Sequence, residues 1–371
     1  MDQLKQKYST QILWIKEVHK KYEQFLPALF FSTGFIFDVM TLGDIDDTSN
    51  IIMLSFYMFC CAFLLALEFI DWKPSQNSKS YLHIFSTYQE DIFHFLLGAL
   101  LSAFTLFYFK SSSLASSFIF LSLMVILLLL NELEAFKKKG LIIKSSLFKL
   151  CLISYFFYII PLLLGTSGQF IFYVCIILAS LITLAAFWLI YKKGYQRQQG
   201  IKEILLPQMC MALIFIFLHA CKIIPPIPLS LKYIGIFHQV EKTDNGGYVT
   251  SQLTPSWKFW THGDQDFKAR QNDSVYVFTN IFAPGGYEGT VYIRWIQLLS
   301  NKDVTSDRIP LTITGGRANG FRGFAFKQNY QPGQWQIRVE TENGLEIGRI
   351  NFEITKDKST AKRTFHREER L

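Results

Sequence analysis

Two arginines and four glycines fall within nine residues at 315–323, GGRANGFRG. Guanidinium groups are planar forks that hold carboxylate, phosphate or sulfate through paired hydrogen bonds, and glycine lets backbone approach such a partner closely. Gly315, Gly316, Gly320 and Gly323 with Arg317 and Arg322 are therefore candidates for binding an anionic partner. The plainer alternative is a glycine-rich hairpin whose arginines face water or pair with Glu340 or Glu342. At 261–267, THGDQDF brings His262, Asp264 and Asp266 near enough to suggest a metal site or a general base. Three polar residues in a glycine-containing loop more commonly make a solvated turn.

A second group sits in apolar surroundings. Asp38, Glu68, His94 and His219 lie inside long apolar runs, where an ionisable side chain is costly and worth a functional question. Asp38 and His219 both fall late in their runs and form a candidate intramembrane polar pair; terminal polar groups reaching headgroup water are the simpler reading. The acidic stretch Asp44, Asp46 and Asp47 has ligands suited to a divalent cation, although acidic helix-end loops usually hold none. No GxSxG, HExxH, P-loop or GxGxxG stands in a suitable context. The sequence therefore assigns no catalytic, metal or cofactor residue and no cofactor. It reads more readily as a binding protein than as an enzyme.

The elements that must position these residues divide the chain in two. Its 371 residues include 36 Phe, and the apolar residues cluster into runs at 25–41, 51–70, 92–109, 114–130, 147–164, 170–191 and 204–224. Each is close to the ~20 residues that cross about 30 Å of hydrocarbon, which predicts seven transmembrane helices. Pro161 and Lys149 make the fifth run the weakest, with Lys149 snorkelling to the headgroups. Residues 1–24 place apolar side chains at helical spacing among lysines, as in an amphipathic helix on the cytoplasmic leaflet.

Lysine and arginine collect before the first run and in alternate loops after it, for example Lys137, Lys138, Lys139 and Lys144. That alternation puts the N-terminus in the cytoplasm and, after seven spans, the C-terminal domain outside. It also accounts for the net charge of +8 without nucleic acid. All six cysteines fall in apolar runs, where they read as small hydrophobes.

Pro225, Pro226 and Pro228 end the apolar half, and 225–246 reads as a stiff extended linker. From 247 the pattern alternates with period two, in runs at 248–253, 274–283, 290–298, 309–313, 321–328, 334–342 and 345–354 separated by Pro/Gly and Asn-Gly turns. The reading is an immunoglobulin-like antiparallel β-sandwich over 247–355, cored by Trp295, Trp335, Phe278, Phe324 and Phe352. Asn343-Gly344 predicts a two-residue type I′ turn. Residues 356–371 have few apolar side chains and read as a disordered charged tail.

FLPALFFSTGFIFDVMTLGDID, FHFLLGALLSAFTLFYFKSSSLASS, LLLLNE, IIPPIPLSLKYIGIFH and ITGGRANGFRGFAFKQNYQPGQWQIRVETENGLEIGRINFEI together resemble bacterial multi-pass membrane proteins that end in the domain of unknown function numbered twenty-nine-fourteen. In that family a basic residue commonly follows TLG, where this chain has Asp44. The resemblance implies a bacterial inner-membrane protein with a periplasmic domain, and supplies no activity. Three functions remain open at the level of sequence. The leading one is a non-catalytic module held at the membrane lipids to engage an envelope glycan, an anionic lipid or a protein. A transporter or channel subunit with a regulatory domain is the second, and an enzyme on lipid-linked substrates is the third.

Overall fold

The computed structural model describes residues 35–36, 38–43, 45–75, 80–132, 140–244, 246–255, 257–258, 260–300, 302–316 and 320–370. Apolar helices make up the first part and antiparallel sheets the second. The helices are α1 (Thr48–Phe69), α2 (Ser80–Lys110), α3 (Leu114–Glu132), α4 (Gly140–Leu164), α5 (Gln169–Lys192) and α6 (Arg197–Ala220, with a π-turn at Ile201–Leu205). Among the described residues five helices are long and apolar enough to cross a membrane; α3 supplies only a shorter apolar stretch, Ser116–Asn131. The first expected span, 25–41, lies mostly outside the described residues, as does the amphipathic segment 1–24; Asp38 to Thr41 are helical. The run judged weakest forms α4, which continues through Pro161.

Two compact units divide the chain. The first comprises Met1–Leu106, Ser122–Cys151 and Ala185–Pro207. Buried polar side chains in it have partners on other helices. Lys144 bonds Glu68 at 2.7 Å and Glu90 at 2.8 Å. His94 Nδ1 lies 3.1 Å from Asn131 Oδ1, and Asn131 Nδ2 donates to the His94 carbonyl at 3.2 Å. Lys149 is only 1% exposed, so it packs inside and does not snorkel.

The second unit comprises Phe107–Leu121, Leu152–Leu184 and Gln208–Leu371, joining segments of α2 to α6 to the whole β-region. Three sheets build that region. One has the order β1 (Ser230–Phe237), β5 (Val275–Phe282), β8 (Phe321–Lys327). The second runs β4 (Asp266–Ala269), β10 (Glu346–Lys356), β9 (Gly333–Thr341), β6 (Glu288–Leu299), β7 (Lys302–Thr314), and the third β11 (His366–Arg370), β3 (Tyr248–Gln252), β2 (Gln239–Lys242). All pairings are antiparallel except β4 with β10.

The three-stranded sheet of β1, β5 and β8 is buried on both faces, which the alternation along β5 shows directly. Val275, Val277 and Ile281 join Trp295, Trp335 and Phe352 in the large core shared with the five-stranded sheet. Phe278 instead joins Phe237 and Val240, with Tyr248 and Phe324 packed alongside, against the third sheet. The aromatics expected in one core thus serve two.

Three local expectations are corrected. Residues 225–246 are not a free linker: Ile224 to Ser230 are buried, Ile227 and Leu229 donate back to the Pro225 and Pro226 carbonyls at 3.0 Å, and β1 follows at once. Burying Ile224, Ile227 and Leu229 outweighs the extended preference of the prolines. The Asn343-Gly344 hairpin is a three-residue loop closed by Thr341 N–H to the Leu345 carbonyl (2.9 Å), and of the pair only Gly344 has positive φ, at 75°. The tail is ordered in β11 because each of its five residues pairs with β3 and Arg363 anchors its start, bonding Asp273 at 2.7 Å and the Lys268 carbonyl at 2.6 Å.

Candidate functional site

A cavity of about 320 Å³ opens within the second unit, where helix ends meet strand ends. Its apolar wall comes from Phe157 and Pro161 on α4, Ile171, Phe172 and Cys175 on α5, and the turn Ile224 to Ile227. Its polar wall comes from Tyr287, Glu288 and Thr290 at the start of β6, Thr341 at the end of β9, and Glu342 and Asn343 in the hairpin beyond. His219, near the end of α6, lines it too, with its ring stacked on Phe172 at 3.7 Å between centroids.

The loop between α4 and α5 fixes these walls against each other. Glu288 N–H donates to the Gly165 carbonyl at 2.9 Å, and the Ser167 and Tyr287 hydroxyls lie 2.8 Å apart. Gly165 has φ of 63°, and a Cβ there would overlap the Gly286 carbonyl oxygen. Only glycine allows that approach. Burial pushes the Tyr287 phenol pKa up, while its bond to Ser167 acts the other way. Tyr287 therefore stays neutral, and either hydroxyl of the pair can donate. Such a space, apolar on the helix side and hydrogen-bonding on the strand side, suits one amphipathic molecule.

The residues singled out by sequence do not gather at this cavity, apart from His219. Arg317 lies outside the described residues. Arg322 donates through Nη1 to the Arg370 carbonyl at 3.2 Å, so β11 occupies it. Gly315 has a packing reason of its own, since its Cβ would overlap the Pro284 carbonyl oxygen and its N–H donates to the Tyr287 carbonyl at 2.7 Å. Gly320 and Gly323 meet Asn280 and Leu311 in the same way, and Gly316 has φ of 84°.

Asp38 belongs to the first unit and accepts from Ser102 Oγ at 2.5 Å. Asp44 lies outside the described residues, and Asp47 caps α1 by accepting from Ser49 N–H at 3.0 Å. Among the described residues no group of three or more His, Cys, Asp and Glu could hold a metal.

Asp264 of the THGDQDF segment proves to be a buried staple. It accepts from the Leu253 N–H (2.9 Å), the Thr254 N–H and hydroxyl (2.7 Å each), and faces His238 Nδ1 at 2.7 Å. Burial alone would raise its pKa, but His238 and these donors outweigh it and hold the carboxyl below its ordinary range. His262 uses its carbonyl to accept from Ile236 N–H at 3.1 Å, and Asp266 is exposed on β4. Sequence reasoning missed His238, Ser167 and Tyr287. Only Gly165 and Gly286, each inside a turn, marked where helix loop and strand turn would touch.

The β-region has a recognisable relative. Residues 288–354 match the family described as Protein of unknown function (DUF2914), which bears out the resemblance carried by the C-terminal segment. No curated protein matches the chain. Among solved structures, a β-glucosidase from Kluyveromyces marxianus is 12% identical over 24% of this chain and 14% of its own, at a TM-score of 0.19. One from Listeria innocua is 8% identical over 32% and 17%, at 0.18. A Pseudomonas fluorescens alkylpurine DNA glycosylase, AlkC, is 9% identical over 84% of this chain and 99% of its own, at 0.20. This chain thus spans only a small part of either glucosidase, and likeness at these scores carries no argument about fold or activity.

Proposed function

We propose that the chain is a multi-pass inner-membrane recognition protein that holds one amphipathic molecule, such as a membrane lipid, in the cavity between helix ends and β-domain. In this reading the run 25–41 and α3 complete seven spans, the β-domain is an elaborated immunoglobulin-like sandwich on the periplasmic side, and no reaction is catalysed. The observation that carries it is the split lining of the cavity: Phe157, Ile171 and Phe172 on one side, Glu288, Thr290 and Asn343 on the other. An acyl chain gains by burial against the first set, and a headgroup keeps its hydrogen bonds on the second.

The transport reading draws on Lys144, Glu68 and Glu90. Lys144 and Glu68 stand within a few residues of helix ends, and Glu90, further into α2, is half-exposed, whereas ion pathways place buried charge at mid-depth in several helices. Recognition is therefore the better-supported function. The test is a photo-crosslinking residue at Thr290 in the full-length protein, reconstituted in vesicles of phosphatidylethanolamine and phosphatidylglycerol. A lipid-mass adduct at Thr290, with none from the same probe at Leu299, is expected. Equal labelling at both positions, or none at either, would remove the lipid from the cavity.

A further inference from the structure

Trp257 and Trp260 stand 66% and 58% exposed in the loop between β3 and β4. An exposed pair of the largest amphipathic side chains marks an interaction surface. Their rings are 5.6 Å apart and cross at 71°, forming a corner, and the Lys258 ammonium lies 5.6 Å from the Trp257 ring centre. Within the loop, Lys258 N–H donates to the Pro255 carbonyl and Thr261 N–H to the Lys258 carbonyl, each at 3.1 Å. Its base is held on both sides. Asp264 takes the Leu253 and Thr254 donors on one strand side, and on the other its own N–H donates to the Ile236 carbonyl at 2.7 Å. Trp257, Lys258 and Trp260 are thus carried between anchored loop ends, and neither indole belongs to the cores already described.

We infer that Trp257, Lys258 and Trp260 form a binding site for an anionic glycan at the end of the β-domain remote from the helices. Placement argues first. β1 leaves the helix end at Ser230 and reaches Ile236, beside the loop base, six residues later, which at 3.3 Å per residue is about 20 Å. The turns that seat on the α4–α5 loop, around Gly286 and Asn343, lie at the opposite ends of β5 and β9 from Val275 and Gly333. The loop therefore lies at the end of the β-domain opposite the helix ends that line the cavity.

Chemistry chooses the partner. A bound peptide ordinarily takes a sheet edge or a groove and pairs with free backbone groups, but the Lys258 and Thr261 N–H groups are committed to the loop's own turns. A pyranose needs neither: its flat C–H face covers an indole, its hydroxyls keep water, and a carboxylate or phosphate on the sugar meets Lys258. This inference is independent of the cavity, which lies at the other end of the domain.

The test is retention of the full-length protein, in detergent micelles, on insoluble peptidoglycan, which carries carboxylates, and on chitin, which is neutral. The wild-type chain is expected to bind peptidoglycan. The double variant W257A/W260A should lower retention at least tenfold with an unchanged Tm, W257F/W260F should keep most of it, and K258Q should weaken peptidoglycan more than chitin. Retention unaffected by W257A/W260A would overturn the site, as would a wild-type chain held by neither polymer. If W257A/W260A fails to fold, W257F/W260F and K258Q decide: a Phe pair that binds no better than background overturns the indole face, and a K258Q variant that weakens both polymers equally overturns the anion. Loss of a dimer in W257A/W260A, without glycan retention by the wild type, would reassign the indoles to self-association.

Discussion

At the scale of single residues, Asp264 accepts from Leu253 and Thr254 and faces His238 across 2.7 Å. Asp264 looked like one of three polar residues in a solvated loop, yet its side chain is 2% exposed and ties Leu253, Thr254 and His238 together. Asp264→Asn removes the charge and half of the acceptor capacity while leaving His238 buried. Weakening hydrogen bonds to a buried carboxylate costs about 1.5 to 3 kcal/mol, so the variant should lower the Tm of the β-domain, read by tryptophan fluorescence of the whole protein. The sign of the pH dependence follows from the depressed carboxyl pKa. Its stabilisation is complete above the unfolded value of about 3.9 and is lost as pH falls through the folded value. Wild-type Tm should therefore drop on acidification below about pH 4, and Asp264→Asn should show a shallower drop. Parallel acid profiles would mean the carboxylate contributes nothing. Trp335, by contrast, was legible as core from its place in an alternating run, and at 2% exposure it is core.

At the scale of elements, alternation reveals most of the longer strands and fails elsewhere. β3, β5, β6, β8, β9 and β10 carry the period-two signal. β1 hides in an apparent linker because prolines precede it, β2 and β4 are only four residues long, too short for a period to show, and β11, HREER, has no apolar side chain. β7 was read only from 309 because its first half, KDVTSDR, is an exposed edge with no apolar face. The charged tail was misjudged for a related reason: composition counts apolar residues, whereas this tail is held by ladder bonds and ion pairs. Arg363 is the anchor, bonding Asp273 at 2.7 Å, Asp357 at 3.3 Å and the Lys268 carbonyl at 2.6 Å. Arg363→Ala should cost about 1.5 to 3 kcal/mol, the scale of hydrogen bonds to charged groups. It should also speed proteolysis within 358–370. An unchanged digestion pattern would show that β11 holds itself to β3 without the arginine.

For the whole molecule, the division into an apolar helical part and a β-rich part was plain from hydropathy and alternation. How the parts join was not. Contacts such as Gly165 with Gly286, or Ser167 with Tyr287, link positions about 120 residues apart, and nothing local announces them. Orientation is the property that sequence states most directly. Lysines and arginines flank alternate helix connections: Lys144 and Lys202 stand near the starts of α4 and α6, while the loop from Gly165 to Gly168 between α4 and α5 holds neither. Under the positive-inside rule this asymmetry predicts that the α4–α5 loop, and the β-domain seated on it, face away from the cytoplasm. Reporter fusions should be placed after Arg370 and not after Thr355, because Thr355 pairs with Lys268 in the ladder between β10 and β4, and a junction there would remove β11. Alkaline phosphatase fused after Arg370 should be active and a fluorescent protein at the same position dark. The reverse pair of signals would place the β-domain in the cytoplasm, and with it the glycan-facing indoles on the wrong side of the membrane for any envelope polymer.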